Sequence, residues 1–263
     1  MSRPGWLLRG MAALAVLFIL APLVVVIGGS FTTTSYVTFP PHGLTLRWYG
    51  ALLHHADFLR SFRDSVLIAG LCALIATPLG TLAAIALHRD AGRGRAVLRA
   101  LLLAPLVLPT IVTGVALLLF YQSVGFDQVF AGLVIGHLVI TMPYVVRSVG
   151  AGLAGLDPAL AEAAASLGAS ELRILWKVLL PSLVPSLLVS VIFVFIMSFD
   201  ETTLSLFLSG ADVMPLPVRI YTYVEFAIDP MVAAVSAVLV AFAYGMVLLL
   251  ERVVGLDRAF GIR

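Results

Sequence analysis

Asp200 and Glu201 form the acidic pair that most invites a chemical reading. They follow an uncharged stretch, residues 178–199, and precede another uncharged run, residues 202–211. If the first stretch enters a bilayer near Pro185, about 15 residues at about 1.5 Å each carry Asp200 roughly 22 Å into a hydrocarbon core about 30 Å thick. A charge deep in that core costs about 2.5–3.5 kcal/mol on insertion scales, so an ionisable pair there points to function. Either the pair is a solvated helix end, or it lines a cavity crossed by a cation. Tyr221, Tyr223 and Phe226 lie downstream. Their rings can meet a cation face-on or anchor the chain at the membrane interface. A further acidic residue, Glu162, stands in an alanine-rich run and can pair with a basic group on a partner.

The other reactive residue types form no constellation. His54 and His55 are neighbours near Asp57 with no third ligand at a convincing spacing, and read as a solvated loop. His88 adjoins Arg89 and reads as interfacial, while His137 lies in an apolar stretch and reads as a packing contact across helices. No nucleophile elbow and no zinc-protease helix motif is present. Lys177 is the only lysine, between Trp176 and Val178, so no phosphate-cradling G-x4-G-K-[ST] loop exists. Any ATP must be bound by another subunit. The single cysteine, Cys72, excludes a disulfide framework and reads as a small buried hydrophobe. No metal and no cofactor is expected on this chain.

The elements that carry these residues are membrane spans. Of 263 residues, 61% are hydrophobic and 11% charged, against about 45–50% apolar and about 25% charged in soluble domains. A water-soluble globule, a disordered chain and a nucleic-acid binder are thereby excluded. Six long stretches lack charge: residues 10–30, 65–87, 100–124, 128–146, 178–199 and 230–250. The first is too long for a cleavable signal's apolar core of about 7–15 residues and is read as a retained helix. With the N-terminus in the cytoplasm, twelve of the 16 basic residues fall on the inner side and four on the outer, as the positive-inside rule requires. Both termini are then cytoplasmic. Pro22, Pro78, Pro105, Pro109, Pro143 and Pro185 should bend the spans. Gly132 and Gly136 make a small-residue face for close helix packing.

Between the fourth and fifth stretches lies an inner segment too long for a turn. Asp157 is placed to cap a helix that starts at Pro158, residues 159–167 favour helix, and Gly168 suits a left-handed end. Ser170 is placed to cap a second helix running towards Pro181. A helix–turn–helix at the cytoplasmic face is expected, serving either as a structural connector or as a partner's docking element.

Glu162-Ala163-Ala164, then Gly168, then Val178-Leu179-Leu180-Pro181 resembles the EAA loop of bacterial ABC-importer permeases, E-A-A-x3-G-x9-I-x-L-P, with Val178 standing for Ile. The likeness extends over residues 65–250. It implies a type I ABC importer permease fold in which Glu162, Ala163, Ala164 and Gly168 belong to a coupling helix seated in a cleft of a separate ATPase. Ser198-Phe199-Asp200-Glu201, the segment 214–221 and the segment 226–230 are similar to the spermidine/putrescine permease subfamily. That resemblance implies a second, related permease as heterodimer partner, an ABC ATPase dimer carrying ATP and Mg²⁺, a periplasmic solute-binding protein docking on the outer segments, and a multi-pass location in the bacterial inner membrane. Asp200, Glu201, Tyr221 and Tyr223 become candidates for the path of a polyamine.

Together these readings describe an all-α polytopic membrane protein of six transmembrane helices. It is a single permease domain over residues 1–263, with its core at about 65–250 and its coupling segment at 155–181. The chain is expected to be non-catalytic and to form half of a translocation pathway, most simply for a polyamine. Permeases for an aminophosphonate, ferric iron or an oxyanion are the alternatives within the class. A membrane-embedded enzyme using Asp200, Glu201 and His137, or a receptor, is the alternative outside it.

Overall fold

A computed structural model describes residues 5–89, 92–227 and 229–254. Arg3, Arg258 and Arg263, three of the twelve basic residues expected on the inner side, and Ile228 lie outside the described residues. Among the described residues every regular element is helical. In chain order these are α1 (Trp6–Gly29), α2 (Arg47–His54), α3 (Ala56–Arg89), α4 (Arg93–Leu103), α5 (Thr110–Val124), α6 (Val129–Ala154), α7 (Ala159–Ser166), α8 (Glu171–Ile174), α9 (Leu180–Ser182), α10 (Val184–Phe199), α11 (Thr203–Leu208), α12 (Leu216–Phe226) and α13 (Pro230–Val254).

Among the described residues four helices, α1, α3, α6 and α13, are long and apolar enough to cross a membrane unaided. The third and fifth expected spans are not continuous. α4 with its 3₁₀ extension meets α5 at 103°, and the α8–α9 segment meets α10 at 68°. Both breaks fall at a pair of prolines one turn apart, Pro105 with Pro109 and Pro181 with Pro185. Each proline removes one i→i−4 hydrogen bond and crowds the carbonyl four residues back. Two such losses on successive turns end the helix, whereas the single Pro22, Pro78 and Pro143 stay inside theirs. Counting each bent pair as one span gives six.

α3 begins at Ala56, nine residues before the expected start at Ser65. Nothing between Asp57 and Asp64 breaks a helix, so the chain carries its charges through one continuous rod of 34 residues. At about 1.5 Å per residue that is roughly 51 Å, well beyond the hydrocarbon thickness. The charged first turns stand clear of the apolar run, and Arg63 pairs with Asp64 at 3.5 Å.

The chain forms two compact units. One comprises the described part of Met1–Arg60 with Arg219–Gly245. In it, the apolar side chains of α1 are almost wholly exposed, Gly29 being its buried residue. Ser30 Oγ and Tyr49 Oη are 2.6 Å apart, and Trp48 Nε1 donates to the Thr32 carbonyl at 2.8 Å, fixing the segment after α1 onto α2.

The other unit comprises Ser61–Val218 with the described part of Met246–Arg263. Its core is built from α3, α5, α6, α10 and α11, around Ile68, Cys72, Leu133, Val149, Val194 and Leu204. Inside lipid, helices associate by close packing and polar contacts rather than by escape from water, and glycines allow the approach. A Cβ at Gly80 would sit 2.7 Å from the Val145 Cβ, and one at Gly136 would sit 2.7 Å from Leu208 Cδ1. At Gly132 the neighbour is the Tyr121 ring, at 3.1 Å. The small-residue face of α6 thus receives α5 and α11.

Candidate functional site: the elbow and the α10–α11 junction

α7 forms as the local sequence dictates. Asp157 Oδ1 accepts the Ala159 N–H at 3.0 Å, capping the first turn. The far end closes with two reversed bonds, from the Gly168 N–H to the Ala165 carbonyl at 2.9 Å and from the Ala169 N–H to the Ala164 carbonyl at 3.0 Å. This is the Schellman arrangement. Gly168 has φ +79°, and no atom lies within 4 Å of where its Cβ would be. Backbone handedness, not space, therefore demands glycine here. Ser170 precedes α8 in an extended conformation, but its side chain makes no capping bond. The expected second helix is interrupted: a π-helical turn, Leu175–Leu179, separates α8 from α9. It lies one turn ahead of Pro181, whose missing N–H prevents regular α spacing there.

Glu162, Ala163 and Gly168 are exposed and Ala164 is half-buried. Around them Leu167 is 89% exposed, Leu172 66% and Trp176 64%. Apolar residues gathered on an exposed elbow mark an interaction surface. Beside it opens a cleft of about 770 Å³, lined by Glu162 and Ala165 of α7, Ile85 and His88 of α3, Leu153 of α6 and Ile174 of α8.

The second candidate region is the junction of α10 with α11. Leu204 and Ser205 of α11 are fully buried, and Leu208 nearly so. The short helix rests on Gly114 of α5 and Gly136 of α6, so the uncharged run after Glu201 turns back into the bundle. Glu201 Oε1 accepts the Leu204 N–H at 2.9 Å, leaving its second oxygen free of that cap. Asp200 ends α10 with an exposed side chain. Among the described residues its carboxylate has no partner.

His137 is fully buried, with Nδ1 2.8 Å from Ser198 Oγ on α10 and Nε2 2.9 Å from Ser205 Oγ on α11. Ser205 donates its only hydroxyl hydrogen to the Glu201 carbonyl at 2.7 Å. It must therefore accept from Nε2–H, which leaves Nδ1 to accept from Ser198. The network assigns one neutral tautomer and ties α10, α6 and α11 to the backbone of Glu201. A histidine in an apolar stretch was the only trace of this in the sequence, because its two serines lie 61 and 68 residues away.

Tyr221 and Tyr223 belong to the other compact unit. Tyr221 is half-exposed. Tyr223 donates to Asp229 Oδ2 at 2.8 Å, and burial first, then that bond and the Asp229 charge, push its hydroxyl up to about 12. Its ring meets Phe58 at 5.3 Å and His55 at 6.3 Å. His55 is thus part of an aromatic cluster rather than a solvated loop, and that cluster was invisible along the chain. No group of histidine, cysteine and carboxylate side chains fit to hold a metal occurs among the described residues.

Residues 76–254 match the family of binding-protein-dependent transport system inner membrane components. The chain is 31% identical over 245 residues to the spermidine/putrescine transport system permease protein PotC of Escherichia coli K12, covering 93% of this chain and 92% of that one. It is 30% identical over 237 residues to the putrescine transport system permease protein PotI of the same strain, covering 88% and 84%. In fold it is similar to the crystal structure of a bacterial alginate ABC transporter in complex with an alginate pentasaccharide-bound periplasmic protein, with a TM-score of 0.74 at 16% identity over 97% of this chain and 95% of that one.

Proposed function

Since this chain belongs to the binding-protein-dependent transport system inner membrane components, permease subunits of ATP-driven importers and not enzymes, we propose that its cargo is a polyamine and that α7 is its mechanical link to a separate ATPase. The observation that carries the reading is the exposed elbow. Glu162 and Ala163 project from a helix held at one end by Asp157 and at the other by a glycine-dependent turn. A rigid, small-residue helix of this kind fits a groove in a nucleotide-driven partner. Rotation of that partner would be passed to α10 through the short α8–α9 segment.

In this reading the ATPases form a dimer and hold ATP and Mg²⁺. A second, related permease completes the pathway as a heterodimer, and a periplasmic binding protein delivers the cargo to the outer segments. Both termini face the cytoplasm. The polyamine assignment rests on the identity to PotC and PotI. The exposed Asp200 carboxylate supports it, because a multiply charged cation that sheds water needs oxygen ligands in exchange. Glu201 contributes its uncapped oxygen. Tyr221 offers a ring face, while the hydroxyl of Tyr223 is committed to Asp229.

The test is uptake of labelled spermidine into proteoliposomes holding the complete importer. Asp200→Asn removes the charge while keeping size. It is expected to raise the concentration for half-maximal uptake by roughly tenfold, the equivalent of about 1.4 kcal/mol, with the ATPase still bound. Unchanged uptake would remove Asp200 from the path. Failure of any polyamine to drive ATP hydrolysis, while another solute succeeds, would overturn the cargo.

A further inference from the structure

Next to the elbow cleft, and sharing His88 with it, lies a second cavity of about 460 Å³ between α4, the end of α3 and the end of α6. Its lining includes Arg95 and Arg99 of α4, Arg147 of α6 and His88 of α3, and among the described residues no carboxylate. Three arginines line this one concavity, and among the described residues neither Arg99 nor Arg147 has an acidic partner. None of this is required to span the membrane or to form the elbow.

The helix that supplies two of these groups is built with two faces. Arg95, Arg99 and Leu103 recur on successive turns and line the cavity. About 200° around the helix from them stand Val97 and Leu101, 61% and 67% exposed, with Leu98 beside them at 44%. The 103° bend into α5 turns α4 nearly across the direction of the span that follows. A helix with apolar residues on one side and arginines on the other, set across a span, lies in the plane of the interface. In that plane its exposed leucines would face the acyl chains and its arginines the headgroups.

We propose that the cavity formed by Arg95, Arg99, Arg147 and His88 is a binding site for the phosphate headgroup of an anionic membrane phospholipid. Guanidiniums present paired donors that match phosphate oxygens, and basic pockets between helices at a membrane face recognise such headgroups. The exposed stripe of α4 selects a lipid over a free anion, since only a lipid brings acyl chains to cover Val97 and Leu101. An occupied site would brace α4 and the ends of α3 and α6 at the elbow's end of the bundle.

The test uses the full chain purified without its ATPase, in detergent doped with either phosphatidylglycerol or phosphatidylcholine, with inorganic phosphate as a third arm. The readouts are lipid retained by native mass spectrometry and the thermal midpoint. Phosphatidylglycerol should be retained over phosphatidylcholine and should raise the midpoint. Retention should weaken by roughly fivefold for each guanidinium lost in Arg99→Gln and Arg147→Gln. Arg99→Lys, which keeps the charge and the fold, should bind at intermediate strength, and Arg63→Gln, remote on the charged start of α3, should match the unaltered chain. Equal retention of both lipids, or retention insensitive to Arg99 and Arg147, would overturn the proposal. So would inorganic phosphate reproducing the midpoint shift with the same dependence on those arginines, which would make the cavity a free-anion site. If the same glutamine variants, assembled into the complete importer, lose their ATPase while the isolated chain shows no lipid effect, the arginines belong to the partner interface and the proposal is overturned.

Discussion

Gly168 shows how much of the elbow depends on a single backbone angle. A non-glycine residue held at φ +79° costs about 1–2 kcal/mol, and the carbonyls of Ala164 and Ala165 lose their partners if the turn opens. Gly168→Val is therefore expected to lower cargo-stimulated ATP hydrolysis by the complete importer about tenfold or more, with membrane insertion intact. Gly168→Asn should retain most of the activity, since asparagine tolerates the left-handed region. Equal activity in both variants would show that the turn's handedness does not matter. This residue and Asp157 were legible in the sequence because capping is local chemistry. His137 was not, because its role comes from serines that only the tertiary fold brings to it.

At the scale of elements, the re-entrant α11 is held by shape as much as by hydrogen bonds. It closes against Gly114 and Gly136, where a side chain would collide with Phe207, Leu204 or Leu208. Gly136→Leu overfills this contact and is expected to lower stability by about 1–3 kcal/mol, read as a reduced thermal midpoint together with loss of uptake. Gly70→Leu, at a position with no atom near the added carbon, should change stability by no more than about 0.5 kcal/mol and leave the midpoint nearly unmoved. If both behave alike, the seat of α11 is not what the packing implies. The existence of the spans was written in hydropathy and their interruption in the proline pairs. Reading helix bounds from the uncharged windows lost the long start of α3, because charge counts locate lipid-facing lengths rather than helix ends.

For the whole molecule, the division of labour follows from what the chain carries and what it lacks. It has helices enough to cross the membrane, a re-entrant element fixed beside an acidic pair, and an exposed elbow. It has no phosphate-binding loop to drive motion by itself. The family match over residues 76–254 agrees with that balance, and the EAA-like spacing made it readable from one sequence. The cargo was less legible, since only Asp200, Glu201 and a few aromatic residues bear on it.

One cysteine substitution tests the central claim most directly. The native Cys72 is buried, so Ala163→Cys places a single reactive thiol on the exposed face of α7. In the complete importer, a short bifunctional crosslinker from this position is predicted to join the chain to its ATPase subunit. A membrane-impermeant maleimide applied to the outside of intact cells should leave it unlabelled. Labelling from outside, or a thiol that never crosslinks to an ATPase that is present and active, would contradict the account.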